Sequence, residues 1–498
     1  MTIKRLILLV LTIVALVPVF FSLGESLNQP QVQARLQLYQ TNLILHASEV
    51  QLDSLEDKGN NTDFTSARNA LIGDDPYATA QAQYQEARRV SQTNIDKLQA
   101  QLRQLSAEEI TQSTQPIFPG MQAPDIAEQK QLQQAINEEK KFVDELDLKL
   151  GIIQAQQGET ETALATWDAL IARSQAEGFS APILQTAAVL KGLWSKPPQG
   201  LANTESQLKN YLDGWFRYCA LEQYYQVKNE RDALLTLQQK EQEIALQTLF
   251  KLAIIGGIPI LGGALGFLLL IVLLAQLLSK PAKSILASNS GVAWETPWDL
   301  EVIWQVLIVG FFFVGQILLP LLFSLSGFNP TGLSLRLKAV YVLVSYVLMA
   351  ASGLLVLYFS IKPFFPLPKD WFRFNWLSNW FLWGFGGYLI ALPLVVLVSL
   401  INQQFWQGQG GSNPLLFLAL QAQDKAALAI FFFTASVAAP FFEELIFRGF
   451  LLASLTRYLP VWGAILISSL VFSFAHLSLS EVLPLATLGI VLGVVYTR

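Results

Sequence analysis

The pattern of apolar and polar positions divides the chain into three parts. Residues 6–23 are almost wholly apolar, residues 24–246 are polar and rich in Gln, Glu and Ala, and nearly every position after Leu252 is apolar. A helix needs about 18 consecutive apolar residues to span a bilayer. The pattern therefore predicts a membrane anchor at residues 1–23, a soluble region at residues 24–246 and a multi-span membrane domain at residues 252–498.

The first apolar run follows Lys4 and Arg5 and is interpreted as an uncleaved anchor helix. A cleavable signal peptide ends in small residues at its cleavage site, whereas this run ends in the sequence Phe21-Ser22-Leu23-Gly24-Glu25. A cleaved signal peptide is the alternative, and it would carry the following residues to the same side of the membrane.

The membrane domain contains seven further apolar runs, which with the anchor predict eight spans, the last two of them short. The runs are Leu252–Leu278, Val302–Leu325, Ala339–Ile361, Trp380–Ile401, Ala426–Leu455, Val461–Phe474 and Val482–Tyr496. Cytoplasmic connections carry an excess of Lys and Arg, and this excess is obtained if the N-terminus is cytoplasmic and each run crosses once. Residues 24–246 are then expected outside the cytoplasm, at a bacterial plasma membrane or a thylakoid-type membrane.

The soluble region is predicted to be α-helical, with a resemblance to tetratricopeptide repeats. Gly151, Gly158, Ala163 and Trp167 stand at the offsets where such a unit places small residues between two helices and a large one above them. A weaker second match uses Leu221, Tyr224, Ala233 and Leu237. Ordinary helical hairpins are the alternative. If the resemblance holds, this region is expected to dock a protein or peptide partner.

Composition agrees with a membrane protein. The chain has 498 residues, of which 52% are hydrophobic and 14% charged, against about 25% charged in an average soluble protein. Its net charge is −5, and no basic patch suggests nucleic acid. The single cysteine, Cys219, excludes an internal disulfide and is expected to be a buried small residue. The predicted fold class is all-α: a polytopic transmembrane helix bundle with an N-terminal anchor helix and a soluble, extracytoplasmic α-helical domain.

The candidate chemistry lies in the last apolar runs. Glu443, Glu444 and Arg448 interrupt the run Ala426–Leu455, and His476 is expected on the helix that the next run predicts. Even the lowest insertion scales give a cost of roughly 2.5–3.5 kcal/mol for each charged group at mid-bilayer. Because helix packing does not require such groups, they indicate a functional site.

The two adjacent acids are expected to have different roles. Glu444 and Arg448 are four residues apart and face each other on a helix, so they are interpreted as a buried, hydrogen-bonded pair. Glu443 points about 100° away and is free to act as a general base on water, which His476 could share. Pro440 is expected to break the helix locally and admit water. A structural clamp and a satisfied core histidine are the alternatives.

These residues resemble the CPBP family of intramembrane proteases, which includes the CAAX prenyl endopeptidase and bacterial Abi relatives. Glu443-Glu444-x-x-x-Arg448 matches its first motif and Phe472-x-x-x-His476 its second. The resemblance covers about residues 426–498. It implies an endopeptidase that acts near the cytoplasmic membrane face on a membrane protein or lipidated peptide. By the resemblance Glu443 is the base, His476 shares that role, Glu444 and Arg448 shape the helix, and Phe472 lines the substrate pocket.

The resemblance does not decide whether a metal takes part in the reaction or whether this chain is active. The family is labelled a metalloprotease, so a divalent metal such as zinc, held by Glu443 and His476, is a further expectation. A zinc site needs three protein ligands plus water, and a metal-free Glu/His site fits the spacing at least as well. The family's third motif, H-x-x-x-N, is not found up to Arg498. We therefore expect a C-terminally incomplete domain with weak activity. A catalytically inactive membrane scaffold that docks a partner is the competing hypothesis.

Overall fold

The chain folds into two compact helical units. The computed structural model describes all residues except 1, 28–30, 32, 52–60, 113–123, 178–180, 200–202, 290, 293, 327–332, 370, 373–378, 407 and 422–423. The part described contains helices and turns and no strand, so the all-α prediction is confirmed. The first unit comprises Met1–Val32 and Pro259–Arg498, and the second comprises Gln33–Ile258.

The second unit is built from helices of very different lengths. Helix α1 (Ile3–Ser26) precedes it and belongs to the first unit. The helices that follow are α2 (Gln33–Ser48), α3 (Asn61–Ile72), α4 (Pro76–Gln112), α5 (Pro124–Gln156), α6 (Thr160–Glu177), α7 (Ala181–Trp194), α8 (Thr204–Tyr211), α9 (Gly214–Lys228) and α10 (Arg231–Ser279). The last of these begins in the second unit and ends in the first.

The hairpin of α5 and α6 has the close packing that the sequence predicted. Trp167 is fully buried and donates a hydrogen bond from Nε1 to the carbonyl of Leu148 at 3.1 Å. A Cβ on Gly151 would lie 2.3 Å from that nitrogen, so only glycine fits there. Gly158 has a φ of +83° in the connecting turn, a conformation that glycine adopts without strain.

The membrane-spanning helices belong to the first unit, apart from the start of α10. They are accompanied by the short α11 (Ile285–Asn289) and α15 (Pro414–Gln421). The other helices are α12 (Leu300–Leu325), α13 (Leu335–Phe364), α14 (Trp380–Trp406), α16 (Lys425–Leu455), α17 (Val461–Phe474) and α18 (Val482–Tyr496).

Seven of the eight predicted spans are long and apolar enough to cross a membrane, and the chain is an integral multi-pass membrane protein. Helix α18 reaches this length when the preceding turn is included, as Leu479–Tyr496. Helix α17 has 14 residues. At 1.5 Å per residue it is about 21 Å long, whereas the hydrocarbon core measures about 30 Å.

Helix α16 continues through Pro440, so the expectation that this proline breaks the helix is wrong, whereas the entry of water there stays a prediction. A π-helical segment, Thr434–Ala438, precedes the proline immediately, and a second one, Leu445–Leu452, follows Glu444. A proline lacks the N–H donor and its ring clashes with the carbonyl four residues earlier. The wider turn before Pro440 relieves that clash, because it moves this carbonyl away.

Helix α1 is a packed member of the first unit. Ala15, Val19 and Leu23 of α1 form a buried cluster with Ile308 and Phe312 of α12. The start of α1 is fixed by ion pairs from Lys4 and Arg5 to Glu301, at 3.0 and 2.8 Å. At its end, the buried Ser26 hydroxyl accepts a hydrogen bond from the backbone N–H of Leu479 at 3.2 Å.

Candidate active site

Arg448 pairs with Glu444 on α16, but without the hydrogen bond that the sequence predicted. Its guanidinium Nη1 lies 2.9 Å from Oε1 of Glu444, and only 1% of the arginine side chain is exposed. The N–H is not aligned for a hydrogen bond, so the contact is a coulombic one. Nη2 donates to the carbonyl of Gly489 in α18 at 3.4 Å, and the guanidinium carbon lies 4.3 Å from the centre of the Phe472 ring. Arg448 therefore joins α16, α17 and α18.

Glu443 takes no part in this pair. Its Oε1 lies 3.5 Å from the hydroxyl of Tyr346 on α13, which also lies 3.3 Å from the carbonyl of Ala439. The structure places Glu443, Glu444 and Arg448 on one helix. The Phe472 ring lies against both the Arg448 guanidinium and the His476 ring.

His476 lies in the turn after α17, two residues beyond the helix end, and not on the helix itself. Its Nδ1 lies 2.9 Å from the carbonyl oxygen of Phe472. Because a carbonyl can only accept, Nδ1 carries the hydrogen, and Nε2 of the neutral ring keeps its lone pair. The ring is half-buried.

Phe472 connects the two motifs. Its ring is buried, and its centre lies 4.8 Å from that of the His476 ring and 5.4 Å from that of Phe447. With Arg448 against its face, this ring forms one wall beside His476. Whether it contacts a substrate remains a prediction.

Two neighbours of the site were not singled out by the sequence. Tyr346 is one of several aromatic residues in an apolar helix, and its hydroxyl gives no periodic signal. Glu481 lies in the connection between α17 and α18, where an acid is unremarkable. In the structure Glu481 interacts electrostatically with His476, and its Oε1 accepts a hydrogen bond from the backbone N–H of Asn413 at 2.9 Å.

The residues present do not fit a three-ligand metal site. Among the described residues, no group of three or more His, Cys, Asp or Glu side chains is placed to hold an ion. Glu443 and His476 supply two candidate ligands, whereas a catalytic zinc ion takes three from the protein. The zinc expectation therefore stays a prediction, and no chemical step is derived through a metal. A carboxylate and a neutral imidazole together can still accept a proton from water.

The C-terminal segment matches a known protease family. Residues 425–498, from the start of α16 to the end of the chain, match the family model described as type II CAAX prenyl endopeptidase Rce1-like. This range contains both motifs, and the match confirms the resemblance to the CPBP and CAAX protease family. The tetratricopeptide resemblance of the soluble region is not confirmed. No curated protein and no solved structure matches the chain.

The fold and the matched segment together define the class of protein. The chain is a multi-pass, all-α membrane protein whose C-terminal segment, residues 425–498, is similar to the type II CAAX prenyl endopeptidase family.

Proposed function

We propose that this protein is an intramembrane endopeptidase of the CPBP type, which hydrolyses a peptide bond with water activated by Glu443 and His476. One observation carries the proposal: the Phe472 ring lies 4.3 Å from the guanidinium carbon of Arg448, on the helix of Glu443, and 4.8 Å from the ring of His476, within the segment that matches the family. The substrate is a membrane protein or a membrane-associated peptide, since a site between bilayer helices is reached most directly by a chain that is itself in the membrane.

The proposed reaction needs only the groups already described. Glu443 takes one proton from water as the oxygen attacks the carbonyl carbon of the scissile bond. Nε2 of His476 accepts a hydrogen bond from the same water and orients it. When the tetrahedral intermediate collapses and the C–N bond breaks, Glu443 returns its proton to the leaving nitrogen. The products are a carboxylic acid and an amine, and the enzyme is regenerated.

Glu444 and Arg448 have a positioning role in this proposal. Arg448 holds α16 against α17 and α18 through Glu444, Phe472 and Gly489. These contacts fix the direction in which Glu443 leaves the helix. Loss of either residue is therefore expected to affect folding as well as turnover.

The test is a search for new protein termini in the membranes of cells that express the full chain. Membrane proteins are profiled for new N-termini in cells with the wild-type chain and in cells with Glu443→Gln. General base catalysis typically contributes about 10²–10⁴-fold, so the new termini are expected to vanish in the variant.

The matched control is Glu25→Gln, because Glu25 is an exposed acid at the end of α1. It is expected to leave the set of new termini unchanged. Termini that persist at full level in Glu443→Gln would exclude Glu443 as the base. If the wild-type chain produces none, the scaffold hypothesis is favoured and the protease proposal fails.

A further inference from the structure

A cavity of about 770 Å³ lies between α9 and α10, within the second unit. Its walls are the facing sides of these two helices, and His46 of α2 and Lys209 of α8 complete the lining. Ligand pockets in proteins measure roughly 300–1,000 Å³, so this cavity has the size of a binding site. We call it the α9–α10 groove.

The groove has an apolar surface along its length. Its lining residues recur every three or four positions on each helix, so one face of α9 and one face of α10 are turned towards it. Leu221 of α9 and Leu237 and Ile244 of α10 supply apolar side chains. Gln238 donates from Nε2 to Oε1 of Glu222 at 2.9 Å and so joins the two helices. This surface suits the apolar side chains of a ligand.

The buried acid of the groove already has a partner. Only 5% of the Glu241 side chain is exposed, and its Oε1 lies 2.5 Å from Nδ1 of His46. Gly214, with a φ of +52°, borders this pair, because a Cβ there would lie 3.0 Å from Nε2 of His46. Since His46 satisfies Glu241, this carboxylate does not require a cation from a ligand.

Two exposed cations, Arg217 and Lys240, face the groove from opposite walls. Both lie about three helical turns from the connection between α9 and α10. Lys240 forms no ion pair with any residue that the structure describes. Arg217 donates from Nε to the carbonyl of Leu212 at 2.7 Å, and the neighbouring acid Asp213 is already paired with Lys149 at 3.0 Å. An acidic group between the two cations would therefore gain two partners.

Near the connection between the helices, the groove offers hydrogen-bond acceptors. Asp232 is exposed and lines the groove, and Thr236 donates from its hydroxyl to the carbonyl of Asp232 at 2.8 Å. The hydroxyl oxygen keeps its lone pairs and, like the carboxylate, accepts hydrogen bonds. A peptide backbone supplies N–H donors for these oxygens, whereas the acyl chain of a lipid supplies none. The groove therefore favours a peptide over a lipid.

We propose that the α9–α10 groove binds an extended segment of a partner protein, whose apolar side chains contact Leu221 and Leu237 and whose acidic side chain lies between Arg217 and Lys240. A helix with its side chains is about 10–12 Å wide, so two turns of it occupy roughly 850–1,200 Å³. That volume exceeds the cavity of about 770 Å³, which is why an extended segment fits better. The proposal does not depend on the protease function, because binding is measured without turnover.

The test selects peptides from a random library displayed on phage, with the full chain in detergent as the target. Selection is repeated against Arg217→Glu/Lys240→Glu, in which both cations of the groove are reversed. The matched control is Lys97→Glu/Arg103→Glu, which makes the same change of charge at two exposed positions of α4. A third variant, Thr236→Trp, fills the groove without changing its charge. The affinity of a selected peptide, synthesised with its acid and with the corresponding amide, is measured by fluorescence anisotropy.

The wild-type chain and the control are expected to enrich the same sequences, in which apolar residues accompany an acid. The affinity of a selected peptide is expected to fall about tenfold or more in Arg217→Glu/Lys240→Glu, because like charges are brought together. Thr236→Trp and the amide form of the peptide are expected to weaken binding as well. These two keep the test decisive if the charge-reversed variant fails to fold, which its elution profile would reveal.

Three results would overturn the proposal. The first is a selection against the wild-type chain that enriches no sequence, or only sequences without an acid. The second is a peptide that binds the folded Arg217→Glu/Lys240→Glu variant, or Thr236→Trp, as tightly as the wild type. The third is tighter binding of the soluble lipid dihexanoylphosphatidylglycerol than of any selected peptide, which would make the groove a lipid site.

Discussion

Arg448 is the least replaceable side chain of the candidate site. It is nearly fully buried, it is paired with Glu444, and it contacts a ring on α17 and a carbonyl on α18. A buried charge is stable only while its partner remains. Substitutions can therefore separate what the charges of this pair contribute to stability from what its packing contributes.

Arg448→Met is expected to lower the unfolding temperature of the full chain in detergent by several degrees. Removing one partner of a buried ion pair lowers the free energy of unfolding by roughly 3–5 kcal/mol. Because 38% of the Glu444 side chain is exposed, the loss in this protein is expected to lie near or below the lower end of that range. The double variant Glu444→Gln/Arg448→Met is expected to recover part of the loss. A double variant less stable than Arg448→Met would show that lost packing, rather than an unpaired charge, causes most of the loss of stability.

Glu49 of the second unit gives a pH-dependent prediction. Burial raises the pKa of this carboxyl, although Trp215 Nε1 and the Tyr77 hydroxyl donate to its Oε1 at 2.8 and 2.9 Å and oppose the effect. A folded-state pKa above the unfolded value means that the folded state binds more protons. The free energy of unfolding therefore falls as pH rises from the unfolded pKa through the folded one.

Glu49→Gln removes this titration and keeps an oxygen that accepts both hydrogen bonds. Hydrogen exchange of α9 in the full chain is expected to be slower in the variant at pH 7.5 and to differ less from wild type at pH 5. The exposed Glu161→Gln serves as the control. Faster exchange in Glu49→Gln at pH 7.5 would contradict the prediction that the ionised Glu49 carboxylate destabilises the folded state.

At the scale of the helices, the pattern of apolar residues predicted where helices lie. It did not predict where each helix ends or where a helix contains π-helical turns. Beyond the end of α17, Leu477 has a φ of +57° and packs against a buried cluster formed by α1 and α12. The hydrogen bond from the Leu479 N–H to Ser26 joins residues 453 positions apart, so no local pattern reveals it. The π-helical segments of α16 are equally hidden, because one wider turn hardly alters the spacing of apolar residues.

The close approach of α5 and α6 predicts that Gly151→Ala destabilises the second unit. Alanine favours a helix over glycine by up to about 1 kcal/mol, but its Cβ would lie 2.3 Å from Nε1 of the fully buried Trp167. Overpacking of this kind costs roughly 1–3 kcal/mol. The clash is therefore expected to outweigh the gain in helix propensity and to lower the stability of the second unit. The measurement is hydrogen exchange of α6 in the full chain.

Gly158→Asn is the control for this prediction, because nothing lies within 4 Å of its added Cβ and asparagine tolerates a positive φ. Its exchange is expected to stay close to that of the wild type. Equal protection of α6 in Gly151→Ala and wild type would show that Trp167 has room to move.

At the scale of the whole molecule, the sequence predicted the class better than the site. Charged residues in hydrocarbon are rare, so Glu443, Glu444 and Arg448 were visible at once. Tyr346 and Glu481 were not, because an aromatic residue in an apolar helix and an acid in a loop are both common. Their positions beside Glu443 and His476 depend on the packing of α13, α16 and α17.

The placement of α1 within the bundle has a consequence for the proteolytic release of residues 33–258 from the membrane. Residues 33–258 are covalently continuous with α1 at one end and with the apolar half of α10 at the other, and both helices are long and apolar enough to span a membrane. A protease site inserted at the Gly158 turn and cut once is expected to leave two halves that both sediment with alkali-washed membranes. Recovery of the N-terminal half in the supernatant would mean that α1 is not retained as an anchor. Release of residues 33–258 as a free fragment therefore requires two cleavages of the chain.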